Sequence, residues 1–333
     1  MSNLNIISIR DAKPYLGGEY IIKGVLGAKS IACMLGASGE GKSATVGHMA
    51  AHSSIGQNWF GHRTVAVSWL IVHLEGFAAA ANRFAALKAD NPTLNDADVE
   101  ITDFPLNLME RRSCVAFVKA VKERQSERGK EFRALAIDTF NAAAQGIKEN
   151  EAGPVGVALS NVRYLRDKLN VAVLLVHHLG KDPTKGARGH SSFHAALDTE
   201  LTIERSGDVR ILKATKQRDF ETGNVLATYT LAPIVLGRDS DGDAVTSVVI
   251  RPADTQIVDQ QRPAALKGKA QKQILAAVRA RNVGKRIWSL PELREVGREL
   301  GLSKSTARSA VETLVFTPFF VATVGGYVVA DRE

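Results

Sequence analysis

Short apolar runs alternate with stretches of helical period along the first three quarters of the chain. Residues 31–35, 67–74, 134–137 and 171–176 are runs of buried-strand length. Between them, residues 44–52, 78–89, 113–128 and 156–169 repeat apolar positions every three or four residues. Strands apolar on both faces, interleaved with amphipathic helices, predict an α/β core with a largely parallel sheet covered by helices. From Glu200 the period becomes two: residues 200–204, 209–215, 225–231 and 245–251 read as antiparallel strands, with residues 239–243 as a turn. The whole is a mixed sheet.

Residues 252–263 are polar, include Pro252 and Pro263, and show no period. They read as a linker between a first domain over 1–251 and a second over 264–333. In the second, residues 266–281, 290–300 and 303–316 have helical spacing, and 319–323 and 327–330 flank the turn Gly325-Gly326 as strands. Three helices and a terminal hairpin make a winged helix-turn-helix plan. Gly301 serves as a helix C-cap and Ser303 as the next N-cap, so the third helix is the expected recognition helix. Lys304, Ser305, Thr306 and Arg308 at its start are the candidates for contact with duplex DNA, or with a replication protein, since winged helices also dock proteins.

A chain of 333 residues is comfortable for two domains. Its net charge of +8 is uneven, because residues 262–333 hold 13 Lys and Arg against 6 Asp and Glu, and the rest hold 30 against 29. The excess therefore sits in the second domain, as expected of a module that meets a polyanion. Cys33 and Cys114 are too few for a disulfide framework and suit a reducing cytoplasm. Neither a signal-peptide layout nor a bilayer-length apolar stretch is present, so a cytoplasmic protein without a membrane partner is expected.

The candidate chemistry begins with Gly36-Ala37-Ser38-Gly39-Glu40-Gly41-Lys42-Ser43, which spells G-x-x-x-x-G-K-[ST] between a predicted strand and a predicted helix. Glycines let successive backbone N–H groups turn toward an anion, and the helix start at Ala44 adds its partial positive charge. A nucleoside triphosphate is the expected ligand, with Lys42 on the β- and γ-phosphates and the Ser43 hydroxyl on Mg²⁺. Residues 134–137 lead to Asp138, an apolar strand ending in a carboxylate suited to orienting the metal. Glu75 follows another strand and is the candidate to position or deprotonate the attacking water. His177 and His178 end a third strand; neighbours on a strand face opposite sides, so one is expected at the γ-phosphate and the other in packing.

Beyond them, residues 181–190 are rich in cations and glycine, either an anion-binding loop or a plain connection. Residues 213–219 place Lys213, Lys216 and Arg218 at a strand end, where an exposed edge guarded by charge is the alternative.

Taken in order, Gly36 to Ser43, Glu75, Asp138, His177-His178, Arg188-Gly189 and Lys216-Gln217-Arg218 resemble the RecA-like ATPases of the hexameric replicative helicase type, with a likeness to plasmid RepA-like helicases. The resemblance covers residues 15–235. It implies a homo-oligomeric ring, a hexamer, in which ATP lies between subunits. It implies Glu75 as catalytic glutamate, His178 as γ-phosphate sensor, and Lys216 and Arg218 acting from the neighbouring subunit as piston and arginine finger. The loops after Asp138 and His178 would face a central channel, with Lys181, Lys185 and Arg188 along single-stranded DNA. The loop over residues 140–154 departs from the pattern in holding few cations besides Lys148.

The expected function is a DNA-dependent ATPase, a ring-forming helicase. The alternative is an ATP-switched initiator or regulator that binds DNA without unwinding it.

Overall fold

The computed structural model describes residues 8–11, 19–147, 152–178, 191–218, 222–253, 268–281, 286–315, 319–323 and 326–329. The chain forms two compact units, Met1–Ala253 and Asp254–Glu333. In the first unit the strands are β1 (Tyr20–Ile22), β2 (Leu26–Gly27), β3 (Ile31–Gly36), β4 (Ser68–His73), β5 (Val99–Thr102), β6 (Phe132–Asp138), β7 (Ala172–His178), β8 (Thr199–Ser206), β9 (Val209–Gln217), β10 (Val225–Arg238) and β11 (Ala244–Pro252). Its helices are α1 (Lys42–Ser54), α2 (Phe77–Asp90), α3 (Arg111–Arg128), α4 (Phe140–Ala143), α5 (Ala152–Leu169) and α6 (Ser191–Ala196).

Nine strands form one sheet in the order β11-β10-β9-β8-β3-β7-β6-β4-β5. The run from β8 to β5 is parallel. From β8 outward through β9, β10 and β11 every pairing is antiparallel. The mixed, largely parallel sheet expected from the sequence is therefore present. Alternation along the central strands divides the core: Ile31, Cys33, Leu35, Val173 and Leu175 join one apolar cluster, and Ala32, Met34, Leu174 and Val176 join the other. Each fully buried Val, Leu or Ile removed from water stabilises the fold by about 1.5–3 kcal/mol, which is why β3 and β7 sit at the centre. α3 buries Cys114, Phe117, Val118 and Val121 at helical spacing and ends at Gly129 with φ of 63°.

Several elements differ from the sequence reading. The four residues of β5 are half-buried and include a polar pair, so no apolar run announces them. β10 continues well past Leu231, because β11 pairs with it along its whole outer half. α5 starts at Ala152 rather than residue 156, with Pro154 in its first turn, where a missing N–H costs no helical bond. Pro252 pairs with Tyr229 in β11, so the sheet extends into the first position of the expected linker; residues 254–263 lie outside the described residues.

In the second unit, α7 (Lys269–Ala280), α8 (Leu290–Glu299) and α9 (Lys304–Leu314) accompany a three-stranded antiparallel sheet of β12 (Ile287–Trp288), β14 (Gly326–Val329) and β13 (Phe320–Thr323), in that order. Ile274, Val278, Leu293, Val296, Val311 and Leu314 form its core. Ser289 and Glu292 make a capping box at α8. Gly301 has φ of 80°, and the Ser303 hydroxyl accepts from the Thr306 N–H at the start of α9. Lys304, Ser305, Thr306 and Arg308 are all exposed there, and Arg308 donates to Glu312 at 2.8 Å. The turn residue Gly325 is not among the described residues.

Candidate active site

The octet is the link between β3 and α1, so a fully buried strand delivers it to the carboxyl end of the sheet. Gly39 and Gly41 have φ of 80° and 82°. Gly41 is constrained twice, because a Cβ there would also lie 2.7 Å from Leu231 Cδ1 on β10. Lys42 turns its ammonium back into the loop, donating to Gly36 O at 3.0 Å and Ala37 O at 2.8 Å. It also lies 3.4 Å from His178 Nδ1 at the end of β7. Burial lowers its pKa, opposed by the charges of Asp138, Glu40 and Glu75. Those carboxylates therefore surround the loop.

Asp138, at the end of β6, is buried beside His73 Nδ1 at 3.2 Å. Burial alone would raise its pKa. The closeness of His73 and Ser43, with the charge of Arg83, outweighs that and holds it below the usual carboxylate value. Glu75 is exposed just beyond β4, and its Oε1 accepts from Thr139 Oγ1 at 3.5 Å. Thr139 in turn caps α4, accepting from the Ala142 N–H. His177 faces the other way from His178, fully buried against Phe140 and Phe193 with ring centroids 5.2 Å away in each case. His177 is thus the packed member of the pair.

The structure thus gathers Lys42, Ser43, Glu75, Asp138 and His178 at the carboxyl end of the parallel strands. Lys216 and Arg218 are elsewhere. Gln217 pairs with Thr199, which pairs with Ala32 near the start of β3, so this end of β9 lies at the opposite end of the strands from the loop. There Lys216 donates to His194 O at 2.5 Å, and Arg218 to Ala195 O and Asp198, each at 3.1 Å. Lys181, Lys185, Arg188 and Gly189, with Lys148, lie outside the described residues.

Sequence reasoning missed His73 and Arg83. His73 is the last residue of an apolar run, and Arg83 reads as a solvated charge in an alanine-rich helix. Only the parallel pairing of His73 with Asp138 reveals the first, and the influence of the Arg83 charge on Asp138 through space the second.

The donors suit a magnesium nucleotide. Ser43 and an ionised Asp138 offer the hard oxygens that Mg²⁺ prefers, and no Cβ crowds Gly39, which leaves the loop open to an anion. Among the described residues, no group of three or more His, Cys, Asp or Glu side chains forms a metal site made of protein alone. Also among them, no helix is long and apolar enough to cross a membrane.

Sheet and loop together define a RecA-like P-loop ATPase core. The AAA domain family AAA_25 matches residues 17–184, half of the chain, and the chain belongs to that family. Among solved structures it is similar to one described as an ATPase domain, with 15% identity over 65% of this chain and 84% of that one and a TM-score of 0.45. It is also similar to "Crystal structure of the RadB recombinase", with 14% identity over 62% of this chain and 88% of that one and a TM-score of 0.44. A search of curated proteins finds no match.

Proposed function

We propose that the protein is a DNA-dependent ATPase that assembles into a hexameric ring and couples ATP hydrolysis to movement on single-stranded DNA as a replicative helicase. The observation that carries the reading is the separation of charges along the sheet. Lys42, Glu75, Asp138 and His178 share the carboxyl end of the parallel strands, while Lys216 and Arg218 lie at the other end. Within one chain these two cations have no route to the phosphate loop, so a second subunit is the natural place for them to act.

In this reading Lys42 and the loop amides bind the β- and γ-phosphates. Ser43 and Asp138 would hold a Mg²⁺ ion, which would supply neutralisation of developing phosphate charge. Glu75 orients the attacking water, and Thr139 fixes the Glu75 carboxylate. His178 reports the γ-phosphate to β7. Arg218 of the partner subunit stabilises charge on the transferred phosphoryl, with Lys216 of the partner subunit beside it. Lys181, Lys185 and Arg188 track the strand's phosphates. The second unit is a winged helix, and exposed Lys304, Ser305, Thr306 and Arg308 meet duplex DNA or a replication protein.

The test is ATP turnover with and without single-stranded DNA, together with unwinding of a forked duplex. Stimulation with unwinding is expected. Stimulation without unwinding would favour an ATP-switched initiator, and ATP turnover indifferent to DNA would contradict the proposal.

A further inference from the structure

Glu40 stands inside the phosphate loop, where a carboxylate opposes the binding of a triphosphate. Two arginines from the hairpin of β8 and β9 meet it: Arg210 Nε lies 3.5 Å from Glu40 Oε2, and Arg205 Nη1 3.9 Å from Oε1. They are unequal partners. The side chain of Arg210 is 10% exposed and that of Glu40 14%, whereas Arg205 is 52% exposed. The Glu40 Oε2 and Arg210 Nε atoms are fully buried, and neither has a hydrogen-bond partner of ordinary geometry. Each thus depends on the charge of the other. Arg210 is itself fixed to the hairpin, donating from Nη1 to Asp208 O at 2.7 Å.

The neighbouring contacts run in the same direction. Tyr229 on β10 meets the Thr45 hydroxyl at 2.6 Å, Thr45 donates to Gly41 O at 3.0 Å, and Leu231 closes on Gly41. The loop is therefore backed by the antiparallel strands at Glu40, Gly41 and Thr45. Glu40 itself has only a long backbone bond within the loop, 3.4 Å to Ala37 O, so its side chain carries much of the restraint.

We infer that Arg210 is a positioning residue of the phosphate loop, compensating and anchoring Glu40 so that the loop presents its amides, rather than an unpaired carboxylate, to a nucleotide's phosphates. The inference rests on the nucleotide-binding reading of the octet. A buried carboxylate stripped of its partner stays charged and repels phosphate, or takes up a proton and loses its hold on the hairpin. Removing both charges together removes the conflict. This coupling distinguishes compensation from a general packing role.

The test measures ADP affinity by calorimetry in the absence of magnesium, with amide hydrogen exchange of residues 36–44 as a second readout. Arg210→Gln is expected to weaken ADP binding about tenfold or more, and Glu40→Gln/Arg210→Gln to recover to within about threefold of the parent protein. Arg205→Gln, which removes a solvent-exposed partner screened by water, is expected to stay within about twofold. Glu40→Gln keeps the test open should Arg210→Gln fail to fold: exchange across the loop is expected to quicken as the anchor is lost. Parental affinity in Arg210→Gln, a double variant weaker than Arg210→Gln, or unchanged loop exchange in Glu40→Gln would overturn the inference. A parent protein that binds no ADP would instead bring down the nucleotide reading itself, and that arm is read without any variant.

Discussion

The ammonium of Lys42 lies 3.4 Å from Nδ1 of His178, joining the start of α1 to the end of β7 across 136 residues of sequence. An ammonium is a donor only, so in this contact His178 Nδ1 is the acceptor. A γ-phosphate that draws Lys42 toward itself therefore alters the contact at His178. His178→Ala is expected to lower turnover about 10²-fold while nucleotide affinity changes less than about threefold, measured by steady-state hydrolysis and calorimetry. Lys42→Ala is expected to lose turnover altogether.

Asp138 is held ionised by His73, Ser43 and Arg83. Because its pKa is depressed, its charge persists through the neutral and mildly acidic range and is lost only below the usual carboxylate value. Asp138→Asn is expected to raise the magnesium needed for half-maximal turnover by about tenfold or more, with ADP binding in the absence of magnesium retained. A magnesium titration of hydrolysis checks both.

His48, half-buried on α1, accepts from Trp59 Nε1 at 3.0 Å. Burial, with the neighbouring charge of His52, pushes its pKa down to about 3. The folded protein thus favours the neutral ring, and this contribution is complete above the unfolded value near 6.5 and lost as pH falls toward 3. Between pH 6.5 and 5 the loss amounts to about 2 kcal/mol. His48→Gln keeps an acceptor for Trp59, so urea unfolding of that variant is expected to show a correspondingly flatter acid dependence.

Gly297 lets α8 lie close against α9: a Cβ there would lie 2.8 Å from that of Ala307 and 3.2 Å from Ile274 Cδ1. Gly297→Val is expected to destabilise the second unit by about 1–3 kcal/mol. Hydrogen exchange within residues 286–315 of the full chain should quicken, while exchange in β3 and β7 stays as it was.

Legibility in the sequence followed locality. The octet, Asp138 and the two histidines were readable because each ends or follows an apolar run whose direction in a parallel sheet is fixed. Val99 to Thr102 left no such mark, being half-buried and partly polar at the sheet's edge. His73, Arg83 and the Glu40–Arg210 pair acquire meaning only from neighbours brought together by strand pairing. The cations of β9 were legible as a group, but which end of the strands holds them depends on the register between β8 and β3.

The central claim is that an ATP site is completed by a second subunit. Its most direct test mixes Glu75→Ala with Arg218→Ala and measures hydrolysis after co-assembly is verified. Each variant alone should be inactive with nucleotide binding retained, and the mixture should recover about a quarter of parental turnover from interfaces that pair an intact Glu75 with an intact Arg218. Wild-type turnover in Arg218→Ala, or no recovery in co-assembled mixtures, would contradict the shared site.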